Sequence, residues 1–234
     1  MSAEPRDFGR ELYPFLYGVG NSSGESWDEV LADARESTLQ KCADVMTLRR
    51  QLRDEFADQL VDASMAMAEA FARGGKLLAF GNGGSATDAQ DAAVDCLSPP
   101  AAFPGWRPLP AIALSNDIGV VTGIANDVGF DSVFSRQLMA LGESSDIALG
   151  FSTSGSSSNI IAAFREARKR GMLCIALTGN DGGLLVSPGL VDFSFVGRLE
   201  YIPRIQEGHA TVWHSLLELT QACLAEGASA VVGT

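Results

Sequence analysis

Short apolar runs alternate with segments of helical periodicity along most of this chain. Apolar runs of about four to eight residues between turn residues are typical of buried strands. We predict five such strands: LLAF, AIALS, DIALGFS, MLCIALTG and VDFSFV. Helical segments follow all of them except the fourth, which is followed by a loop. Buried strands separated by helices indicate a parallel sheet that is covered on both faces, and therefore an α/β fold.

The hydrophobic pattern divides the chain into four segments. Residues 1–27 mix Pro, Gly and aromatic residues without a period, which predicts an irregular N-terminal arm. Residues 28–75 carry apolar positions at helical spacing, which predicts two amphipathic helices that pack on the core or on a partner subunit. Residues 76–228 contain the α/β domain, and residues 229–234 form a tail.

Charge and cysteine content narrow the class of protein. The chain has 29 acidic and 17 basic residues and a formal net charge of -12, which argues against a nucleic-acid groove. The four cysteines show no metal-binding spacing and are expected to be buried thiols in a reducing compartment. The start of the chain does not read as a secretion signal, and no apolar run is long enough to span a membrane. We therefore expect a cytoplasmic protein with no membrane partner.

Two loops stand where an α/β sheet binds ligands, beyond the carboxyl ends of strands. The first is Gly81-Asn82-Gly83-Gly84-Ser85, and the second is STSGSSSN, from Ser152 to Asn159. Bare backbone N–H groups at a helix start and short hydroxyls can hold an anion without a positive charge. Neither loop has a nucleotide-binding spacing, so a phosphorylated sugar is the better hypothesis. A tight turn with a helix cap is the alternative for the first loop.

Three carboxylates follow the first glycine loop. Asp88, Asp91 and Asp95 are spaced i, i+3 and i+7, which places them on one face of the predicted helix. Such a face is either solvated or directed at a ligand.

Five stretches together resemble the sugar isomerase (SIS) domain family, and within it the sedoheptulose 7-phosphate isomerase branch. The likeness runs from about Gln51 to Leu224 and is carried by GNGGSATDAQ, ANDVGFDSVFSRQ, STSGSSSN, LTGNDGG and RIQEGHATVWH. The resemblance implies a three-layer αβα sandwich with a five-stranded parallel sheet, assembled as a homotetramer. It also implies conversion of sedoheptulose 7-phosphate to glycero-manno-heptose 7-phosphate through an enediol.

The resemblance also assigns roles to individual residues. It implies Asp95 as the catalytic base, His214 as the acid and Asp117 as an assisting acid, although Asp117 also suits a helix cap. It implies eight contacts with the phosphosugar: Asn82, Gly83, Ser85, Ser152, Thr153, Ser154, Ser157 and Gln206. His209 receives no role and is expected to be structural.

Three positions depart from the family pattern. Asp91 stands where the family commonly has His, Asp95 where it typically has Glu, and Pro203 where it has Asp. Some members bind zinc, and the matching ligands here are Asp91, Asp95, Gln206 and His214. The departures leave open a second hypothesis, a non-catalytic member that binds phosphosugars or proteins, of the type that associates with the replication initiator.

Overall fold

The computed structural model describes residues 27–99 and 105–232. Residues 1–26 of the predicted arm and residues 233–234 of the predicted tail lie outside this range. The chain divides into two compact units, Met1–Cys42 and Ala43–Thr234. The described part of the first unit is helical, and the sheet lies in the second. The second unit begins well before residue 76, where the α/β domain was predicted to start, because helical residues such as Leu48 and Met67 join the core under the sheet.

All five predicted strands form one parallel sheet, which confirms the predicted fold class. Their spatial order is β2-β1-β3-β4-β5. The register pairs Gly81 with Phe151 and Ser152 with Thr178, so the ends of β1, β3 and β4 lie side by side. The strands are β1 Leu77–Gly81, β2 Ala111–Ala113, β3 Ile147–Ser152, β4 Leu173–Gly179 and β5 Phe193–Gly197.

The described part of the chain contains six α-helices. They are α1 Trp27–Ala72, α2 Gly84–Leu97, α3 Ile118–Asp127, α4 Ser135–Leu141, α5 Ser158–Lys169 and α6 Ile202–Val232. Short 3₁₀ turns occur at Phe130–Ser132 and Gly183–Val186. No helix among the described residues is both long enough and apolar enough to cross a bilayer.

The structure corrects two predictions about the helices. Residues 28–75 contain one continuous helix, α1, instead of two, because no Gly or Pro occurs between Trp27 and Ala72 to interrupt it. Helix α6 extends to Val232, into the predicted tail, because one glycine such as Gly227 costs only about 1 kcal/mol in a helix and does not end it. Pro203 lies in the first turn of α6, where its missing N–H is not needed.

The neighbouring strands β1 and β3 are buried on both faces. Leu77 and Ala79 of β1 join a core on one side of the sheet that includes residues of α1, α2 and α6. Leu78 and Phe80 join a second core on the other side, with residues of α4 and α5. Helices α2 and α5 therefore leave the adjacent strands β1 and β3 toward opposite faces. This divergence opens a crevice at the carboxyl ends of β1 and β3, where the strand order reverses.

The packing of the second core requires glycine at position 150 of β3, because it leaves no room for a side chain there. A Cβ at Gly150 would lie 2.5 Å from the Phe164 ring and 2.9 Å from the Phe80 ring. We predict that Gly150→Ala lowers the free energy of unfolding by about 1–3 kcal/mol, measured by urea denaturation. The matched control is Gly123→Ala in α3, where a Cβ meets nothing within 4 Å. Equal stability of the two variants would contradict the packing described here.

Candidate active site

The first loop joins β1 to α2 through a backbone conformation that requires glycine. Gly83 has φ 57° and ψ -123°, and a Cβ there would meet nothing within 4 Å. Glycine is therefore needed at this position for its conformation, not for lack of space. The next residues begin α2, and the Ser85 N–H donates to the Asn82 carbonyl at 3.0 Å. Ser85 is buried under the loop.

The second loop joins β3 to α5 and is rich in hydroxyl groups. Ser152 ends β3, and its Oγ lies 3.4 Å from the Oγ of Ser157, the residue that precedes α5. The side chain of Ser157 makes no hydrogen bond to the helix it precedes. Ser154 Oγ accepts from the Ser156 N–H at 3.3 Å. Several hydroxyl groups therefore surround the start of α5, as the sequence predicts.

The segment LTGNDGG packs closely against the second loop. A Cβ at Gly155 would come within 2.0 Å of the Gly182 carbonyl oxygen, and one at Gly183 within 2.4 Å of Ser156 Oγ. Gly155, Gly182 and Gly183 all have positive φ angles. The glycines of LTGNDGG are therefore required for close packing against the hydroxyl-rich loop, a role that turn chemistry alone does not predict.

A reciprocal pair of hydrogen bonds joins the two loops. The Asn82 side chain donates to Asn159 Oδ1 and accepts from Asn159 Nδ2, both at 2.9 Å. Asn82 precedes α2 and Asn159 lies in the first turn of α5, so this pair holds the starts of two helices together. Helix N-termini carry a partial positive charge and free N–H groups. The combined site suits an anion with several oxygens, such as a phosphate group.

Gln206 of α6 lies directly against the first loop. A Cβ on Gly84 would come within 2.2 Å of Gln206 Nε2, so the missing side chain of Gly84 makes room for this amide. Gln206 Nε2 donates to Asp88 Oδ2 at 3.3 Å. Burial raises the pKa of Asp88 to about 6, the bond from Gln206 opposes this rise, and the negative charge of Asp91 adds to it. The sequence predicted Gln206 as a contact but gave Asp88 no role of its own.

His209 lies close to Asp88, and only 2 % of its surface is exposed. Its Nε2 is 3.0 Å from the Thr178 carbonyl oxygen, and because a carbonyl only accepts, Nε2 carries the proton. Its Nδ1 is buried, has no hydrogen-bond partner among the described residues and lies 4.0 Å from Asp88 Oδ2. Burial lowers the pKa of His209 to about 4, although the Thr178 carbonyl works in the opposite direction. His209 is therefore neutral at pH 7.

Asp95 and His214 meet at the contact between α2 and α6, as the sequence predicts. His214 Nε2 lies 3.6 Å from Asp95 Oδ2, and the side chain of His214 is 67 % exposed. Trp213 Nε1 donates to the same Asp95 oxygen at 2.9 Å. The indole therefore fixes one carboxylate oxygen and leaves Oδ1 for other partners. Sequence reasoning missed Trp213, which shows only as an aromatic residue beside His214.

Asp91 and the predicted zinc ligands do not form a metal site as they stand. Asp91 is exposed, while Gln206 is bonded to Asp88 and Asp95 to Trp213. Among the described residues, no group of three or more His, Cys, Asp or Glu side chains lies close enough to hold a metal ion. These donors would have to rearrange to share one ion, and zinc stays a prediction.

Asp117 caps α3, which is the structural role that its sequence position also allowed. Its Oδ1 accepts from the Val120 N–H at 3.0 Å. Asp117 also lines a cavity of about 550 Å³ beside β2, together with Val94 of α2 and Arg136. The cavity contains neither Asp95 nor His214 in its lining. The structure therefore places Asp117 at the same edge of the sheet without contact to the Asp95–His214 pair.

Most of the predicted residues fall into two groups. The residues of the two loops lie at the starts of α2 and α5, with Asp88 and Gln206 beside the first loop, and Asp95 with His214 lies further along α2. Asp88 and Asp95 are seven residues apart, which corresponds to about 10 Å along a helix axis. Asn159 and Thr178 complete the loop group and were not assigned a role from sequence.

Comparison with known proteins identifies the family. The profile of the SIS domain matches residues 42–179. Phosphoheptose isomerase from Thermodesulfovibrio yellowstonii is 45% identical over 181 residues, which are 75% of this chain and 88% of that protein. This chain belongs to the phosphoheptose isomerase family of SIS-domain proteins.

Solved structures of the phosphoheptose isomerase family have the same fold. The enzyme from Neisseria gonorrhoeae superposes with a TM-score of 0.73 at 34% identity, over 81% of this chain and 99% of its own. The enzyme from Francisella tularensis gives a TM-score of 0.70 at 31% identity, over 85% of this chain and 100% of its own. The resemblance inferred from five short motifs is thus confirmed over most of the chain.

The buried, neutral His209 predicts a pH-dependent stability. The folded protein holds fewer protons on this imidazole than the unfolded chain between about pH 4 and 6.5, so the contribution of His209 to stability falls on acidification through that window. Asp88, whose raised pKa acts in the opposite direction, is present in wild type and variant alike. We predict that His209→Gln, which keeps a donor for Thr178, removes about 2 kcal/mol of that loss at about pH 5. Urea denaturation at pH 7 and at pH 5 measures it. Parallel losses in wild type and variant would show that His209 is not buried in its neutral form.

Proposed function

We propose that this protein is an aldose–ketose isomerase that interconverts sedoheptulose 7-phosphate and glycero-manno-heptose 7-phosphate. One observation carries the proposal. Two helix starts, joined by Asn82 and Asn159, form an anion site, and a carboxylate–imidazole pair lies further along one of those helices. Membership of the phosphoheptose isomerase family supports the same reaction.

The phosphate end of the substrate suits the two loops. Ser85 and the hydroxyls of Ser152, Thr153, Ser154 and Ser157 supply neutral donors, and the starts of α2 and α5 supply N–H groups and dipoles. The net charge of the protein is -12, so a phosphate needs such a local site to bind at all.

The length of the site supports a long sugar. Ser85 and Asp95 are ten residues apart on α2, which corresponds to about 15 Å along the axis. In a heptose 7-phosphate, six bonds separate C2 from the ester oxygen, and they cover about 7 Å when extended. The phosphate group and one hydrogen bond at each end extend this span toward the separation of the two residues. A three-carbon sugar phosphate is several ångströms shorter.

The Asp95–His214 pair supplies the two groups that proton transfer needs. Starting from the ketose, Asp95 Oδ1 takes a proton from C1 while the C2 carbonyl oxygen gains one, which gives the enediol. The carboxyl group then returns a proton to C2, and O1 loses its proton as the aldehyde forms. His214, whose Nε2 lies 3.6 Å from Asp95 Oδ2, donates the proton that the C2 oxygen gains and takes the proton that O1 loses. The indole of Trp213 keeps Asp95 in place by binding its other oxygen.

Three further features are part of the proposal and rest on the family alone. We expect a homotetramer, a cytoplasmic location and a role for zinc held by Asp91, Asp95, Gln206 and His214. Light scattering measures the number of subunits. Metal analysis of the purified protein, and assays with added zinc or chelator, measure the contribution of the metal.

The function is tested by incubating the folded protein with sedoheptulose 7-phosphate and following the sugar by NMR. We expect conversion to the aldose. Asp95→Asn and His214→Gln should each lower kcat by at least about 100-fold, because each removes one proton-transfer group. The control is Glu218→Gln, an exposed carboxylate on the same helix as His214.

Failure of the folded wild-type protein to convert this sugar, with or without zinc, would overturn the proposal. Thermal unfolding with the same sugar phosphate then identifies the second hypothesis. A ligand that raises the midpoint without being converted indicates a binding protein, because binding to the folded state alone stabilises it.

A further inference from the structure

The contact with Asp88 allows only one orientation of the Gln206 side-chain amide. Gln206 contacts Asp88 Oδ2 at 3.3 Å, and a carboxylate can only accept hydrogen bonds. The nitrogen of the amide must therefore face Asp88. The amide also lies against Gly84, which has no side chain to push it away. As a result, the carbonyl oxygen Oε1 of Gln206 is turned away from Asp88 and is available as an acceptor.

His209 presents an acceptor, not a donor, to the same carboxylate. The proton of His209 is committed to the Thr178 carbonyl, so the buried Nδ1 directs a lone pair toward Asp88. The ring stands between α6 and the ends of β3 and β4, where it also contacts the ring of Phe151. It therefore cannot turn without breaking the bond to Thr178. Nδ1 lies 4.0 Å from Asp88 Oδ2, which is too long for a hydrogen bond, but an amide nitrogen in the place of Oδ2 would face an acceptor there and not a second donor.

We infer that Asp88 is a positioning residue that makes Gln206 a hydrogen-bond acceptor for a hydroxyl group in the middle of the sugar chain. The inference rests on the proposed function. Asp88 lies between Ser85 and Asp95 on α2, and its side chain is 18 % exposed, so most of it is enclosed by Gln206, His209 and the loop. A sugar that runs from the phosphate loops to Asp95 passes this level.

Asp88→Asn separates this role from simple packing, because it changes a donor pattern without changing size. With the new amide nitrogen on the side of the unprotonated His209 Nδ1, 4.0 Å away, a donor takes the place of the oxygen that faces Gln206. Gln206 must then turn over, and its own nitrogen would face the sugar. We expect KM for sedoheptulose 7-phosphate to rise about tenfold with little change in kcat, because a binding contact is lost equally from the ground and transition states.

The decisive variant is the double exchange Asp88→Asn with Gln206→Glu. In it, one oxygen of the new carboxylate accepts from the new amide, and the other accepts from the sugar. Gln206→Glu alone should raise KM at least about tenfold, because two carboxylates then face each other. We expect the double variant to recover KM to within about threefold of wild type. Asp58→Asn, an exposed carboxylate on α1, is the control for a change of one charge.

Two kinetic results would overturn the inference while the proposed function stands. One is a KM within about twofold of wild type for Asp88→Asn, and the other is a double variant whose loss is the product of the two single losses. If wild type does not turn over the sugar, the proposed function fails instead.

A second measurement does not depend on activity or on the sugar. The side-chain NH₂ resonance of Gln206, assigned by its loss in Gln206→Glu, reports the bond to Asp88. We expect it to shift in Asp88→Asn and to stay in place in Asp58→Asn. An unchanged resonance in folded Asp88→Asn would show that Asp88 does not hold the amide, and would overturn the inference whatever the kinetics.

Discussion

The reciprocal hydrogen bonds between Asn82 and Asn159 join the two loops of the proposed anion site. Helices α2 and α5 leave the paired strands β1 and β3 toward opposite faces of the sheet, and the two amides join their starts at the carboxyl ends of these strands. Two amide groups that each donate and accept can pair in one plane only. That pair sets the spacing of the N–H groups that an anion would contact. The other residues of the proposed site lie further from the loops, along α2 and α6.

From the two loops, the proposed site continues along the contact between α2 and α6. It has two polar levels within an otherwise apolar seam. Asp88 with Gln206 forms the first level, and Asp95 with Trp213 and His214 forms the second. Because an α-helix rises by about 1.5 Å per residue, the separation of the two levels along α2 follows from residue number. The proposed fit to a long sugar phosphate uses the longer separation of Ser85 and Asp95, which spans both levels.

The sequence predicts the parts of this protein that depend on local pattern. The five strands, the two loops and the pairing of Asp95 with His214 follow from apolar runs, glycine and hydroxyl clusters, and matched motifs. The prediction of two helices in place of α1 was wrong because a polar stretch without Gly or Pro looks like an interruption but does not break a helix. The sequence did not predict the contacts that depend on how the helices pack. Gln206 meets Gly84 and Asp88 only because α6 lies across α2, and the buried face of His209 becomes evident only when Thr178 lies beside it.

A crystal structure with sedoheptulose 7-phosphate bound to Asp95→Asn would test the proposed site most directly. We predict the phosphate between the first loop and the hydroxyl-rich loop, within hydrogen-bond distance of Ser85 and Ser152, and C1 and C2 beside residue 95 and His214. A phosphate bound elsewhere, or reacting carbons that lie away from His214 while the phosphate is in place, would contradict it.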